Sequence, residues 1–301
     1  MKVNEIEKRS RKIFDELHIA QSEDMNIFCR LTALLNTDYL KVPKDFFVGK
    51  ICLDAGCGSN ANATYSMLKA GAKKVYAFDL DESIFTTATK LLKEFDGKYE
   101  LSIGNVLKTK FPDEFFDFTY CAGVLHHTTD PYKGLEELAR VTKKGGVLYI
   151  SIYGSGGLIR DVEVLFRDKY VKEPKFKRFI DNLNEDYLIE MWNWVVSTMA
   201  EHGDKLGKLI PKFLIRQMLN KDLVLTIKDR ITAPLYHQST EKELTKWFRN
   251  NRFTKIERLK RYPKQNNIRK FLNPFYFQYD HKFSRLLYGE GYLQLKAIKA
   301  K

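Results

Sequence analysis

Between residues 50 and 153 short apolar runs alternate with amphipathic segments. Lys50 to Asp54, "KVYAFD" ending at Asp79, "YELSIG", "FFDFTYC" ending at Cys121 and "VLYISIY" read as strands, because each is short, rich in β-branched or aromatic side chains and bounded by Gly, Asp or Pro. Helical spacing fills the intervals: Ala61 to Ala70, closed by Gly71; Glu82 to Phe95; and Pro131 to Thr142. Asp130 is placed to cap the last of these, Pro131 takes its first position and Gly145-Gly146 follow its end. Apolar strands joined by short connections through helices predict a doubly wound, mostly parallel sheet.

The flanks read differently. Residues 1–48 form an N-terminal helical segment, with Ile6, Ile13 and Leu17, then Ile27, Leu31, Leu34 and Leu35, at helical spacing before Pro43. The core spans 49–155. "GSGG" at 154–157 breaks the alternation, and 156–232 reads as an inserted helical lid or interface. There Leu183, Tyr187, Leu188, Met191, Trp192, Val195 and Met199 fall on one helical face, a stripe suited to core or to dimerisation. Residues 233–301 complete the sheet, through the capping box Thr240/Glu243, the alternating "TKIERLKRY" and the last strand "YLQLKAIKA".

Composition narrows the class. With 44% hydrophobic and 30% charged residues in 301, the chain has enough apolar material for a packed core, and no apolar run approaches a membrane span. Four cysteines form no C-x-x-C pair, and the mixed-charge N-terminus shows no signal-peptide pattern, so a cytoplasmic protein is expected. The charge is uneven. Residues 1–150 hold 21 basic and 21 acidic side chains, so the net +13 lies wholly in 151–301, with 30 basic to 17 acidic. Arg160, Arg167, Lys205, Lys208, Lys212 and Arg216 contribute in the insert, and Arg258, Lys260, Arg261, Lys264, Arg269 and Lys270 beyond it. An anionic partner accounts for this asymmetry; so does a merely solvated basic face.

The chemistry concentrates in "ICLDAGCGSNAN". Gly56-x-Gly58-x-x-Ala61 fits a dinucleotide fingerprint, with Asp79 placed for ribose hydroxyls, but that spacing is weak alone. Asp54 ends the strand two residues before the first glycine. Beside a pyrophosphate this carboxylate meets like charge; beside an ammonium and a sulfonium it is favourable.

Taken jointly, "LDAGCGSN", "FDLDES", "GNV", "FDFTYCAGVLHH" and "ELARVTKKGGVLYISIY" resemble the class I S-adenosylmethionine-dependent methyltransferases. The resemblance runs from about 50 to 153 and resumes from about 236 to 299. It implies a seven-stranded sheet with its last strand antiparallel and S-adenosylmethionine as cofactor. It further implies that Asp54, Gly56, Cys57 and Gly58 wrap the methionine part, that Asp79 and Leu80 lie at the ribose, that Asn105 and Val106 border the adenine, and that Ala122 and Gly123 lie near the methyl-donor end. Asn60 stands where the family often has a third glycine, and Asn105 where it often has aspartate.

Methyl transfer from a sulfonium needs an aligned nucleophile and excluded water, and a base only if the nucleophile arrives protonated. His126, His127, Tyr153 and His237 are the candidates, His127 foremost; no metal is expected. The leading expectation is a methyltransferase for a small or medium-sized, anionic metabolite, dimeric through the inserted helices. An RNA or protein methyltransferase using the basic second half ranks second, since no nucleic-acid module is appended. A catalytically silent binding subunit ranks third, against the intact Asp54, Gly56, Gly58 and Asp79.

Overall fold

The computed structural model describes residues 5, 6, 8–14, 19, 25–32, 35–198, 219, 221–259 and 281–301. The basic residues 205, 208, 212 and 216, and those from 260 to 270, lie outside them, as do Met199 and the side chain of Val195.

The strands are β1 Ile51–Ala55, β2 Lys74–Asp79, β3 Tyr99–Ile103, β4 Phe116–Ala122, β5 Thr142–Tyr153, β6 Phe253–Arg258 and β7 Tyr292–Lys299. They form one sheet in the order β3-β2-β1-β4-β5-β7-β6. The first five are parallel, and β7 runs antiparallel to both β5 and β6, as expected. The strand order reverses between β1 and β4, where an open α/β sheet forms its ligand crevice at the carboxyl ends of the strands. Alternate side chains fill two cores. Cys52, Val75, Phe118 and Tyr149 pack on one face with Leu40, Phe47 and Met67. Leu53, Phe78, Leu148 and Ile150 pack on the other with Leu135, Leu138, Phe248 and Leu293.

The helices before β5 are α1 Met25–Thr32, α2 Thr37–Leu40, α3 Asn62–Lys69, α4 Thr87–Leu91 and α5 Pro131–Val141. Asp130 Oδ1 accepts from Lys133 N and caps α5, with Pro131 in the first turn. The single helix expected over 82–95 is broken into a 3-10 turn, Glu82–Phe85, then α4, then a second 3-10 turn, Lys93–Phe95. Thr86 Oγ1 bonds back to the Ser83 carbonyl at 3.0 Å, and three threonines crowd the segment, so local side-chain bonds compete with the helical ladder. Gly145-Gly146 do not follow α5 as a loop. They sit inside β5, at an irregularity in its pairing with β4 between Phe116 and Phe118.

The insert comprises α6 Leu158–Lys172, α7 Pro174–Asp181, α8 Glu185–Thr198 and α9 Lys221–Thr232; α10 Glu241–Asn250 and α11 Lys282–Tyr288 follow. The glycine run before α6 is clamped rather than loose. Gly154 N donates to Gly291 O, Glu290 N to Ser155 O and Ser155 N to Ser239 O, and a Cβ on Gly157 would stand 2.1 Å from Gly289 N. Of the expected stripe, Leu183 is buried, whereas Tyr187 and Met191 are exposed. Among the described residues no helix is long and apolar enough to cross a membrane.

Candidate active site

Two clusters lie at the carboxyl edge of the sheet. The first is the turn after β1. Gly56 has φ +77°, and a Cβ there would lie 2.3 Å from Val124 Cγ2, so only glycine fits. The N–H groups of Gly56 and Cys57 both donate to the Phe78 carbonyl, at 2.8 and 3.0 Å, and tie the turn to the end of β2. Gly58 N donates to Asp79 Oδ2 at 2.8 Å, and Leu80 N to Oδ1 at 2.7 Å. Asp79 is thereby fixed, half-buried, with a further lone pair on each oxygen.

Asp54 is buried, its Oδ2 accepting from Thr64 N at 2.9 Å and Thr64 Oγ1 at 2.7 Å. Burial lifts its carboxyl to about 7, against the pull of the Thr64 hydrogen bonds and with a further push from the Asp79 charge. Cys57 is buried and its thiol held well above its ordinary range, first by burial and then by Asp54 and Asp79, so it is a filler and not a nucleophile. Asn105 Oδ1 accepts from Leu107 N at 2.9 Å, Val106 is buried, and Gly104 lies under the Phe78 ring. Gly123 takes φ +79° and donates to Ser151 O, just beyond Ala122 at the end of β4.

These residues fit S-adenosylmethionine. Asp79 retains acceptor capacity for vicinal hydroxyls, and Asp54 is a carboxyl short of positive charge, which an ammonium or sulfonium restores. When bound, the cofactor supplies an activated methyl group on a sulfonium. Gly56, Cys57, Gly58 and Asp54 would hold its methionine part, Asp79 and Leu80 its ribose, and Asn105 and Val106 its adenine, as the sequence resemblance implies.

The second cluster gathers His126, His127, Tyr153 and His237, which the sequence separates by as much as 111 residues. His126 is fully buried, its ring centroid 3.8 Å from that of Tyr153, and among the described residues neither ring nitrogen has a hydrogen-bond partner. Burial holds it neutral, with His127, Arg160 and Arg230 pushing the same way. His127 Nδ1 meets the Leu235 carbonyl at 2.9 Å and Nε2 faces Asp229 Oδ1 at 3.6 Å. Burial lowers its pKa too, against the opposing pull of Asp229 and of Leu235, so it rests neutral at pH 7. His237 joins through its backbone, donating to His126 O, while its Nε2 is buried without a partner. Tyr153 OH donates to Asp229 Oδ2 at 3.3 Å.

The insert wraps this cluster in charge. Arg160 NH1 donates to Glu163 Oε2 at 2.7 Å and to Tyr236 OH at 2.6 Å, and its guanidinium lies 4.3 Å from the Tyr153 ring centroid. Arg230 pairs with Glu163 Oε1, and Tyr236 OH donates to Oε2. Burial pushes Glu163 up, but Arg230 and Arg160 outweigh it and hold the carboxylate ionised. Arg167 donates to the carbonyls of Arg230 and Ala233 at 2.7 and 2.6 Å and stacks on Tyr236 at 4.6 Å. From the N-terminal segment, Phe14 covers His127 at 4.7 Å between centroids.

Sequence reasoning named the four titratable groups and, as charges, Arg160 and Arg167. It missed Asp229, Glu163, Arg230 and Tyr236. The Arg160-x-x-Glu163 spacing marked an i,i+3 pair, but nothing in the sequence aimed it at Tyr153.

Residues 53–150 match the family profile described as a methyltransferase domain. The chain is 31% identical over 142 residues to a tRNA U34 carboxymethyltransferase of Sulfurovum sp., covering 45% of this chain and 44% of that protein. It is 29% identical over 122 residues to phosphoethanolamine N-methyltransferase 2 of Caenorhabditis elegans, covering 40% and 28%. The chain thus spans less than half the length of either relative. Among solved structures, it superposes on Burkholderia thailandensis 1,6-didemethyltoxoflavin-N1-methyltransferase with a TM-score of 0.51 at 17% identity, covering 100% and 92%. A chain of the Haloferax volcanii complex between the Trm112 methyltransferase activator and a methyltransferase gives 0.52 at 12% identity, covering 96% and 98%. These two likenesses establish the fold alone.

Proposed function

We propose that residues 53–150, which match the methyltransferase-domain profile, form the core of an S-adenosylmethionine-dependent methyltransferase, and that the protein methylates a small or medium-sized anionic metabolite enclosed beneath the helical insert. The observation that carries the substrate reading is the convergence of Arg160 and Arg167 on Tyr236, with Arg160 also over Tyr153 and Arg230 joined through Glu163. Three guanidiniums stand here against two carboxylates, Glu163 and Asp229, while His126 and His127 rest neutral. That leaves the pocket one positive charge in excess, which a carboxylate or phosphate balances.

His127 is the general base of this reading. A neutral imidazole accepts a proton, and Asp229 at 3.6 Å stabilises the imidazolium that results. His126, Tyr153 and His237 form the wall that holds it and keeps water out. Residues 49–155 and 233–301 then serve as the cofactor-binding core, 156–232 as acceptor enclosure and lid, and 1–48 as a cover reaching the site through Phe14. Self-association through the insert belongs to the same proposal: Leu165, Val171 and Trp194 are exposed there. Sedimentation velocity on the intact chain tests it.

An RNA acceptor, as the name of the Sulfurovum relative states for that protein, is the second reading. The acceptor-side arginines here are enclosed and bound to protein carbonyls and carboxylates, a poor arrangement for tracking a phosphodiester backbone. The deciding experiment incubates the protein with methyl-labelled S-adenosylmethionine and separated small-molecule, RNA and protein fractions of a cell extract. Label in anionic small molecules is expected; label in RNA or protein alone overturns the substrate reading.

A further inference from the structure

His127 Nδ1 lies 2.9 Å from the carbonyl oxygen of Leu235. A carbonyl oxygen only accepts, so Nδ1 carries the hydrogen and the neutral ring presents its lone pair at Nε2. Nε2 looks at Asp229 Oδ1 across 3.6 Å, beyond direct hydrogen-bond range. Oδ1 is itself buried and has no hydrogen-bond partner among the described residues. The other carboxylate oxygen, Oδ2, takes the Tyr153 hydroxyl at 3.3 Å, which fixes the orientation of Asp229. Two acceptors therefore face each other with no donor between them. Buried acceptors in proteins are almost always met, so this gap is built for something that brings hydrogen.

We infer that the gap between His127 Nε2 and Asp229 Oδ1 seats the nucleophile of the methyl acceptor, and that this nucleophile is a hydrogen-bearing nitrogen or oxygen, an amine or a hydroxyl, rather than carbon or sulfur. The inference rests on the methyltransferase reading and deepens it by naming the accepting atom. A donor at about 2.8–2.9 Å from both atoms forms the apex of a triangle whose base is the 3.6 Å separation; an amine can donate to both atoms, and a hydroxyl, with its single hydrogen, to His127 Nε2. Asp229, delivered by α9 of the insert, is a positioning residue: it acts through His127.

The step balances as follows. The lone pair of the acceptor nitrogen or oxygen forms the new bond to the methyl carbon, and the carbon–sulfur bond breaks with its electrons remaining on sulfur. The proton of the acceptor passes to His127 Nε2, and the imidazolium pairs with Asp229 Oδ1. The positive charge that leaves sulfur thus reappears on His127, beside a carboxylate.

Arg167 and Tyr292 also sense the Asp229 charge; the other groups around His127 are neutral or engaged elsewhere. His126, from the same turn, is neutral through burial, with its ring 4.2 Å away between centroids. Arg230, next to Asp229 on α9, is held by Glu163. Arg167 on α6 is held by the carbonyls of Arg230 and Ala233. His237 lies on the segment after α9, Tyr153 on β5 gives its hydroxyl to Asp229, and Phe14 contributes only an apolar face.

The test uses the full chain, selectively labelled with 15N-histidine, in wild-type, Asp229→Asn and Asp229→Glu forms. Asparagine keeps an oxygen for the Tyr153 hydroxyl while removing the charge. Nitrogen chemical shifts are expected to report hydrogen on Nδ1 of His127 in the neutral wild-type ring. The titration midpoint of His127 is expected to fall by about one pH unit in Asp229→Asn and to return with the longer carboxylate of Asp229→Glu. Hydrogen on Nε2, or a midpoint unmoved by Asp229→Asn, overturns the inference. Calorimetric binding of S-adenosylmethionine to the same samples reports separately on the methyltransferase reading. Finally, 13C-methyl S-adenosylmethionine and a small-molecule extract are expected to yield product methyl resonances in the N- or O-methyl range, and a C- or S-methyl product overturns the assignment of the nucleophile.

Discussion

Gly58 gives its backbone N–H to Asp79 Oδ2 at 2.8 Å, joining the turn after β1 to the last residue of β2. Cofactor binding and turn geometry are consequently one problem. Replacing Asp79 by alanine removes the carboxylate proposed to take the ribose hydroxyls and leaves the Gly58 donor unmet. Cofactor affinity is expected to fall by roughly 1.5–3 kcal/mol, about ten- to a hundredfold. Titration calorimetry with S-adenosylmethionine measures it; unchanged affinity in a folded variant removes Asp79 from the site.

Gly56 tolerates no side chain. The Gly56→Ala methyl would lie 2.3 Å from Val124 Cγ2, at φ +77°. Overpacking and left-handed strain together predict a loss of about 2–4 kcal/mol in unfolding free energy. Adding Val124→Ala is expected to relieve the steric part and leave the conformational part. Urea unfolding of the single and double variants separates the two, and a Gly56→Ala protein as stable as wild type contradicts the turn described here.

Asp54 makes cofactor-free stability depend on pH in a defined direction. Its folded pKa, about 7, stands above the ordinary carboxyl value of 3.8. The folded state therefore binds this proton more tightly than the unfolded state. Its stabilising effect is complete below about pH 4 and is lost as pH rises through 7. Relative to Asp54→Asn, the wild-type melting temperature is expected to decline between pH 4 and 7 and to level off above. Binding a cation beside Asp54 favours its ionised form, so S-adenosylmethionine binding near pH 6.5 is expected to release a proton. Calorimetry in buffers of different ionisation enthalpy detects that release, and its persistence in Asp54→Asn assigns the proton elsewhere.

Glu163 joins α6 to α9. It is the shared carboxylate of Arg160 and Arg230, with a side chain only 10% exposed. Glu163→Gln removes the negative charge that two buried guanidiniums share and is expected to cost about 3–5 kcal/mol. Denaturant unfolding checks the magnitude. Hydrogen exchange is expected to locate the loss in α6 and α9, with β1 to β4 protected as before; uniform loss across the sheet contradicts the division.

Much of the fold was legible because its causes are local. Strands such as "KVYAFD" are apolar on both faces, which only a covered parallel sheet satisfies, and Thr240/Glu243 formed the capping box their spacing announced. The turn after β1 was legible for the same reason, since a sharp turn directly after a strand calls for glycine at the positive φ that Gly56 and Gly58 adopt. The helix expected over 82–95 failed on local grounds as well: threonine side chains bonding to nearby carbonyls compete with a ladder that apolar spacing alone suggests.

What tertiary structure decided is the cluster around His127. Periodicity placed residues 221–232 on a helix, but not which residue of that helix would face the loop after β4, about a hundred positions earlier. That Asp229 meets His127 and Tyr153, and that Arg160 and Arg230 share Glu163, depends on how the insert lies across the ends of β4 and β5. Backbone hydrogen bonds and glycine conformations are fixed by neighbours along the chain, and a sequence displays its neighbours. Pairing between distant side chains is fixed by packing, and the sequence specifies packing only through the whole fold.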